Sequence, residues 1–408
     1  MMKRNISVLI VLVMLLSLLS ACADASVREY EETPALTPVP EGVHNFKKAY
    51  ESMDPDTVVF KIGKDKIYWD EMFYWINSSI LRVEASMGAM PLSTVISGDE
   101  SFADFVMEDT KNVIIQFYAL NKELGKLGVK LSDKSKAQFD EIKEANKERY
   151  CGGQVSDKDF YEKLGEFLIS ERVYKYIGKT SLLHQDGFAY LYGEAGEKFS
   201  DEKVMSYAEE QGYMRAMHVL FSYKNPDGTD KTAAEKQAIK KDAEAVVSEL
   251  RKIEDKDKLV EEFRKMMQEK GEDPGTAQFT DGYYFTEGAM VPEFESAVKS
   301  AEMYEVTDPV ETDFGLHVIL RLPIEADGML EPSSGDHPPR TLRSDAASID
   351  YNEKVKEFSS LYELKATDAM KDFDLLKIFG EDADSVFAPG SPASPPAESE
   401  EPKTNTGN

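Results

Sequence analysis

Two apolar, β-forming runs, Met214-Arg-Ala-Met-His-Val-Leu-Phe221 and His317-Val-Ile-Leu-Arg-Leu322, stand apart from everything before them in the chain. Each reads as a strand. Upstream the pattern is helical: Phe102, Phe105, Val106, Val113, Ile114, Phe117 and Leu120 recur at helical spacing. Ser132, Ser156 and Ser200 each precede acidic or helix-forming residues, as N-caps do. Between the two runs come a turn at Asn225-Pro-Asp-Gly228, a helix over 232–253 with Ile239, Ala243, Val246 and Leu250 on one face, and a second helix over 256–270. Short elements rich in Gly, Tyr and Phe follow. Strand, helices, short strand, strand is an α+β order.

The flanks extend this plan. Thr57-Val-Val-Phe-Lys-Ile62, Gly63-Lys-Asp-Lys66 and Ile67-Tyr68 read as a short hairpin, and Asp70 and Glu71 open a helix, where its dipole favours acids. After Pro323 comes Gly/Pro/Ser-rich sequence through Pro339. A last helical region starts near Asp345, with Val355, Phe358, Tyr362 and Leu364 apolar. It is too isolated to fold alone. It is expected to dock on the N-terminal helices, which makes the middle section an insertion. The stretch 22–46, with Pro34, Pro38 and Pro40, reads as a flexible tether, and the Pro/Ser/Glu-rich 380–408 as a disordered tail.

The first residues read as an address. Lys3 and Arg4 precede an apolar run from Ile6 to Leu19, which is short for a bilayer span of ~20 residues. The run ends in Leu19-Ser20-Ala21-Cys22, small residues followed directly by a cysteine. This resembles a bacterial lipobox, which implies cleavage after 21, lipidation of Cys22, and retention on the outer face of the cell membrane. Cys151 is then the one remaining thiol and reads as a small buried apolar residue, so a disulfide framework is excluded. The histidines, His44, His184, His218, His317 and His337, show no metal-ligand spacing, and no metal or other cofactor is expected. With 76 acidic against 48 basic residues and a net charge of −28, the chain should repel nucleic acid and anionic lipid. The acidity serves solubility or favours neutral and cationic polypeptide partners.

Three segments carry chemistry. They are Met217-His218-Val219-Leu220; Glu272-Asp273-Pro274-Gly275 with Gly282-Tyr-Tyr-Phe285 and Gly288-Ala-Met290-Val-Pro-Glu-Phe294; and Thr307-Asp-Pro-Val310 with Thr312-Asp-Phe-Gly-Leu-His317. In order and spacing they resemble the whole parvulin-type (PpiC-like) peptidyl-prolyl cis/trans isomerase domain. The resemblance implies a small antiparallel sheet with helices. It also implies a proline pocket lined by Leu220, Phe285, Met290 and Phe294, and a catalytic group of His218, Asp273, Thr312 and His317. Met290 and Phe294, four apart, would share a helical face; ordinary core packing explains that spacing equally. The histidine pair orients the site or only stabilises the fold, and Asp273 acts electrostatically or is a surface turn acid. Many parvulins carry Gly-Gly-Asp-Leu-Gly where this chain has Phe279-Thr-Asp-Gly-Tyr283, so Gly282 replaces a pocket leucine, with Tyr284 or Phe285 as candidate substitutes. The loop from Ser222 to Thr232 lacks the clustered Arg and Lys of phosphate-directed parvulins.

The layout is similar to PrsA-type foldase lipoproteins, with a SurA-like N-terminal region. It implies an α+β chain in which a mostly helical chaperone-like domain (47–207) carries an inserted parvulin-type domain (208–325), followed by a linker and docking helix (326–379). The activity implied is membrane-anchored, extracytoplasmic prolyl isomerisation of exported, unfolded or partly folded proteins with X-Pro bonds. The alternative is a holdase chaperone whose parvulin domain is weak or silent.

Overall fold

The computed structural model describes residues 44–153, 155–333 and 339–380. The expected signal peptide, Cys22, most of the tether and the tail beyond Gly380 lie outside the described residues. In chain order come α1 (Phe46–Tyr50), β1 (Val58–Ile62), β2 (Asp65–Tyr68), α2 (Trp69–Met87), β3 (Val95–Ser97), β4 (Glu100–Ser101) and α3 (Phe102–Lys126). Next are α4 (Asp133–Cys151), α5 (Asp157–Glu166), α6 (Glu171–Tyr192) and α7 (Asp201–Gln211). The segment that carries the site contains β5 (Met214–Ser222), α8 (Ala233–Leu250), α9 (Lys256–Lys270), β6 (Tyr283–Phe285), α10 (Pro292–Ser300), β7 (Val310–Thr312) and β8 (Gly315–Leu322). Then come β9 (Met329–Glu331), β10 (Arg340–Thr341), α11 (Leu342–Ser360), β11 (Lys365–Ala366) and α12 (Leu375–Phe379).

The described residues fall into two compact units, one of 115–163 with 171–363, the other of 44–114, 164–170 and 364–380. The span 47–207 is thus shared between them. In the smaller unit β1 and β2 form the hairpin read from the sequence, and β11 joins the free edge of β1, giving the antiparallel order β11-β1-β2. Beneath it Ile62, Ile67, Trp69, Met72, Phe73, Ile76 and Ile80 are fully buried. Phe379 of α12 lies edge-on to Phe46 at 5.4 Å. Burial of these apolar side chains holds a chain end that has little helix or strand of its own.

In the larger unit, the second half of α3, α6, α7 and α11 share a core of Leu120, Leu124, Phe188, Tyr192, Val204, Leu342, Tyr351 and Val355. Tyr351 donates from its hydroxyl to the His184 carbonyl at 3.0 Å. The helix expected near Asp345 begins at Leu342, because Thr341 and Ser344 cap each other's backbone N–H reciprocally. Arg343, largely buried, reaches Asp201, Asp327 and the Phe199 carbonyl, so it ties α7 to the segment leaving β8.

The segment from β5 to β8 forms a four-stranded antiparallel sheet of order β6-β5-β8-β7. Alternation sorts its side chains. Met217, Val219, Phe221, Val318, Leu320 and Leu322 point to one face, against Ile239 and Val246 of α8 and Leu259, Phe263 and Met267 of α9. Ala216 and Ile319 point to the other, against Phe285, Phe294 and Val298. Both faces are covered, which is why β5 reads as a continuous apolar run instead of an alternating one. The chain is α+β, as its sequence order indicated.

Candidate functional site

The second face of this sheet carries the polar residues. β5 and β8 pair with Leu220 opposite His317 and His218 opposite Ile319. His218 and His317 are therefore diagonal neighbours on one face, close enough to bond. Their Nδ1 atoms are 3.0 Å apart, and the rings lie nearly parallel at 18°. β7 pairs with β8 and brings the Thr312 hydroxyl to 2.9 Å from His317 Nε2. Asp273 caps a 3-10 turn, Pro274–Ala277, after α9, and its Oδ2 lies 2.9 Å from His218 Nε2.

The partners assign the protons. An ionised Asp273 can only accept, so His218 Nε2 carries hydrogen and, in the neutral ring, Nδ1 accepts. His317 then donates from Nδ1 and accepts at Nε2 from the Thr312 hydroxyl. That hydroxyl also accepts from the Phe314 N–H at 3.1 Å. The result is one directed chain, Thr312 to His317 to His218 to Asp273, in which each ring uses both nitrogens.

The electrostatics agree with this direction. Burial pushes His317 down to about 4, and the neighbouring His218 adds to the effect. Its ring is neutral at neutral pH. For Asp273, burial works to raise the carboxyl. Hydrogen bonds from His218, Tyr283 and the Gly275 N–H outweigh burial and hold the group well below the usual carboxylate range. The acid at this turn is therefore not a solvated surface group: its side chain is 20% exposed and takes hydrogen bonds from three donors.

An apolar floor adjoins the chain. Phe294 lies edge-on to His218 and to His317, with centroids at 5.4 and 5.6 Å, and its ring is 5.9 Å from that of Phe285. Leu220 is buried on the same strand face as His218. Met290 packs into the same cluster, but not by the route its spacing suggested. α10 starts only at Pro292, with Val291 as N-cap. A proline at the first helical position keeps the residue before it extended, so Met290 and Phe294 do not share a helical face. Met290 approaches from the preceding turn, fixed by its N–H bond to Glu295 Oε1 at 2.9 Å.

Around Gly282 the structure departs further from the sequence reading. Gly282 has φ +89, and a Cβ there would meet the Ala216 carbonyl oxygen at 2.7 Å. Of the two candidate substitutes for the missing leucine, only Phe285 faces the pocket. Tyr284 lies under the Arg215 guanidinium at 5.2 Å and beside Gly328. The residue that sequence reasoning missed is Tyr283. Its ring lies 5.5 Å from that of His218 and its hydroxyl donates to Asp273 Oδ2 at 2.6 Å. The signal was present: in a strand, 283 and 285 share one face and 284 the other. Among the described residues no group of three or more His, Cys, Asp or Glu side chains is placed to hold a metal ion. The arrangement joins an apolar cluster to oriented dipoles and one fixed anion, which suits binding and polarisation of a neutral group more than bond-making chemistry.

Comparison with known proteins agrees with this geometry. Residues 218–322 match the rotamase family, described as the PPIC-type PPIase domain. The foldase protein PrsA of Caldanaerobacter subterraneus subsp. tengcongensis is 27% identical over 222 residues, which cover 54% of this chain and 58% of that one. The match therefore spans little more than half of that relative. PrsA of Bacillus subtilis is 27% identical over 238 residues, covering 55% of this chain and 71% of that protein. The crystal structure of PrsA from Bacillus subtilis aligns over 70% of this chain and 93% of that chain at 20% identity, with a TM-score of 0.24, too low to carry an argument. The sheet, its paired histidines and the family match together identify residues 218–322 as a parvulin-type peptidyl-prolyl cis/trans isomerase domain, in a chain similar over part of its length to PrsA foldase proteins.

Proposed function

We propose that this chain is a membrane-anchored, extracytoplasmic foldase that interconverts cis and trans X-Pro bonds in exported proteins. The observation that carries the reading is the hydrogen-bonded chain Thr312–His317–His218–Asp273 laid beside an apolar cluster that includes Phe285, Met290 and Phe294, with Leu220 buried on the same strand face as His218. The reaction makes and breaks no bond. It must lower a rotational barrier of ~18–20 kcal/mol that arises from amide resonance. The twisted amide has lost its partial double bond and is less polar than the planar forms. A dry, apolar hollow therefore favours it over both. The proline ring fits against Phe294 and Met290, and the hydrogen-bonded histidine pair keeps the rim rigid, with the His317 ring neutral at neutral pH. Asp273 supplies a fixed negative charge, an electrostatic influence on the bound amide. The loop from Ser222 to Thr232 carries no cluster of Arg and Lys, and its Lys231 pairs with Glu272, so no preference for a phosphorylated residue before proline is expected.

Anchoring rests on Leu19-Ser-Ala-Cys22, and no helix among the described residues is long and apolar enough to cross a membrane. Lipid labelling followed by fractionation tests it: Cys22→Ser should lose the label and leave the membrane fraction, and a still-anchored variant contradicts the lipobox. A proline-limited refolding reaction tests the foldase. The chain should accelerate the slow phase, which takes ~10–100 s unassisted at 25 °C. A second role, as a holdase, has as its candidate surface an open depression of about 510 Å³ in the smaller unit, where Phe60, Met107, Met370 and Phe373 stand beside Asp104, Lys111 and Asp374. Suppressed aggregation of an unfolded client without any change in its slow phase would support that role alone.

A further inference from the structure

We propose that Tyr283 is a positioning residue of this isomerase site: its ring supplies the wall that Gly282 cannot, and its hydroxyl holds Asp273 against His218. The inference rests on the isomerase reading above. Tyr283 stands where many parvulins have the last glycine of Gly-Gly-Asp-Leu-Gly, so a large side chain enters one residue after the place where the leucine is lost. Its ring packs on Phe279 at 4.7 Å and on His218 at 5.5 Å, on the side of the apolar cluster next to the histidine pair.

The hydroxyl has a prepared seat. Asp273 Oδ1 accepts from the Gly275 N–H at 3.0 Å. Its Oδ2 accepts from both His218 and Tyr283, at 2.9 and 2.6 Å. A Cβ on residue 275 would lie 2.2 Å from the Tyr283 hydroxyl oxygen. Gly275 is not among the glycines with positive φ, so the backbone does not demand glycine there. The seat for the hydroxyl does. Burial, and then the bond to Asp273, push the phenol above its ordinary range, so it stays a donor throughout the working pH.

Sharing one carboxylate oxygen has an electrostatic consequence. Tyr283 and His218 compete for the same lone-pair region. Without the phenol, more of the charge on Asp273 acts on His218, and the imidazolium form of the pair is favoured. Charged groups on the elements around this cluster are already engaged. Glu272 accepts from Lys231 and the Ser222 N–H, Glu311 from Tyr223, Glu295 from the Met290 N–H, and Asp281 from Arg264.

The test uses the full chain as wild type, Tyr283→Phe and Gly275→Ala. Imidazole nitrogen NMR follows the histidine pair against pH, and exchange of a proline tetrapeptide gives kcat and KM. Tyr283→Phe keeps the ring and loses the bond. It should raise the midpoint of the pair by about half a pH unit or more and lower kcat/KM about 3- to 10-fold, the worth of one hydrogen bond. Gly275→Ala should reproduce both changes by displacing the hydroxyl. A Tyr283→Phe chain that folds and titrates as wild type overturns the proposal, whatever its rate, because the ring alone would then account for the residue. A wild-type chain without exchange activity removes the isomerase reading instead, and the titration still decides whether Tyr283 holds Asp273.

Discussion

Replacing Gly282 by leucine puts back the side chain that many parvulins carry here, yet the geometry predicts a loss of stability and no gain in rate. Gly282 sits at φ +89, where a side-chain-bearing residue costs about 1–3 kcal/mol in backbone strain. Its Cβ would also meet the Ala216 carbonyl oxygen at 2.7 Å, the carbonyl carbon at 3.0 Å and Met217 Cγ at 3.1 Å. The first two are backbone atoms of β5, pinned between β6 and β8, so they cannot retreat cheaply. Overpacking of this kind adds about 1–3 kcal/mol. The sum, about 2–6 kcal/mol, is a large part of the 5–15 kcal/mol that holds a typical domain. The assay is urea denaturation followed by far-UV circular dichroism. Tryptophan fluorescence is the wrong probe, since both tryptophans, Trp69 and Trp75, lie in the other compact unit. Gly282→Ala shares the strain and the Cβ contacts, so it should already show most of the loss. A Gly282→Leu chain as stable as wild type and faster in exchange would refute the reasoning and restore the leucine-wall view of this pocket.

Other outcomes follow from the same structure. His317 and His184 are buried and neutral, pushed by burial to about 4 and about 3. The unfolded chain takes up those protons near pH 6.5, so stability should be full above that pH and fall toward pH 4, by up to roughly 1.4 kcal/mol per pH unit for each group; a flat profile in denaturation midpoints contradicts this. Asp273, held low, should contribute its stabilisation in full above the ordinary carboxylate range and lose it progressively as pH falls below that range. Arg343→Met should cost about 1–3 kcal/mol, because the Phe199 carbonyl loses its donor while Asp201 and Asp327, 78% and 75% exposed, return to water. Phe294→Ala should lose ~3–5 kcal/mol along with activity, whereas half-buried Met290→Ala should lose activity with a smaller change in midpoint.

Much of this was legible in the sequence, and the gaps have physical causes. Hydrophobic spacing located α3, α8 and α9 and the two central strands, because burial is what that pattern encodes. The caps at Ser132 and Ser200 were equally readable, since each needs only a hydroxyl and an N–H three residues on. The pairing of β11 with β1 was not, because a two-residue edge strand has no periodicity to detect. At the site, the four polar residues that the motifs single out, His218, Asp273, Thr312 and His317, lie in one hydrogen-bonded chain, and Phe294, Phe285 and Leu220 lie on the same sheet face or against it. The route taken by Met290 was misjudged, because spacing was read as helix where Pro292 forbids it. Tyr283 was missed because it replaces a glycine. Resemblance directs attention to retained residues, whereas here the hydroxyl contact appears only once Gly275 and Asp273 are placed beside it.

The central claim is that rotation about the X-Pro bond is catalysed beside the histidine pair. Exchange of a proline tetrapeptide by a soluble fragment of residues 23–408, compared with its Met290→Ala/Phe294→Ala form, tests it most directly. The account predicts exchange well above the uncatalysed rate for the wild type, and a return to near that rate for the double variant while circular dichroism still shows folded protein. A wild-type chain at the uncatalysed rate, or a folded double variant as fast as wild type, would contradict it.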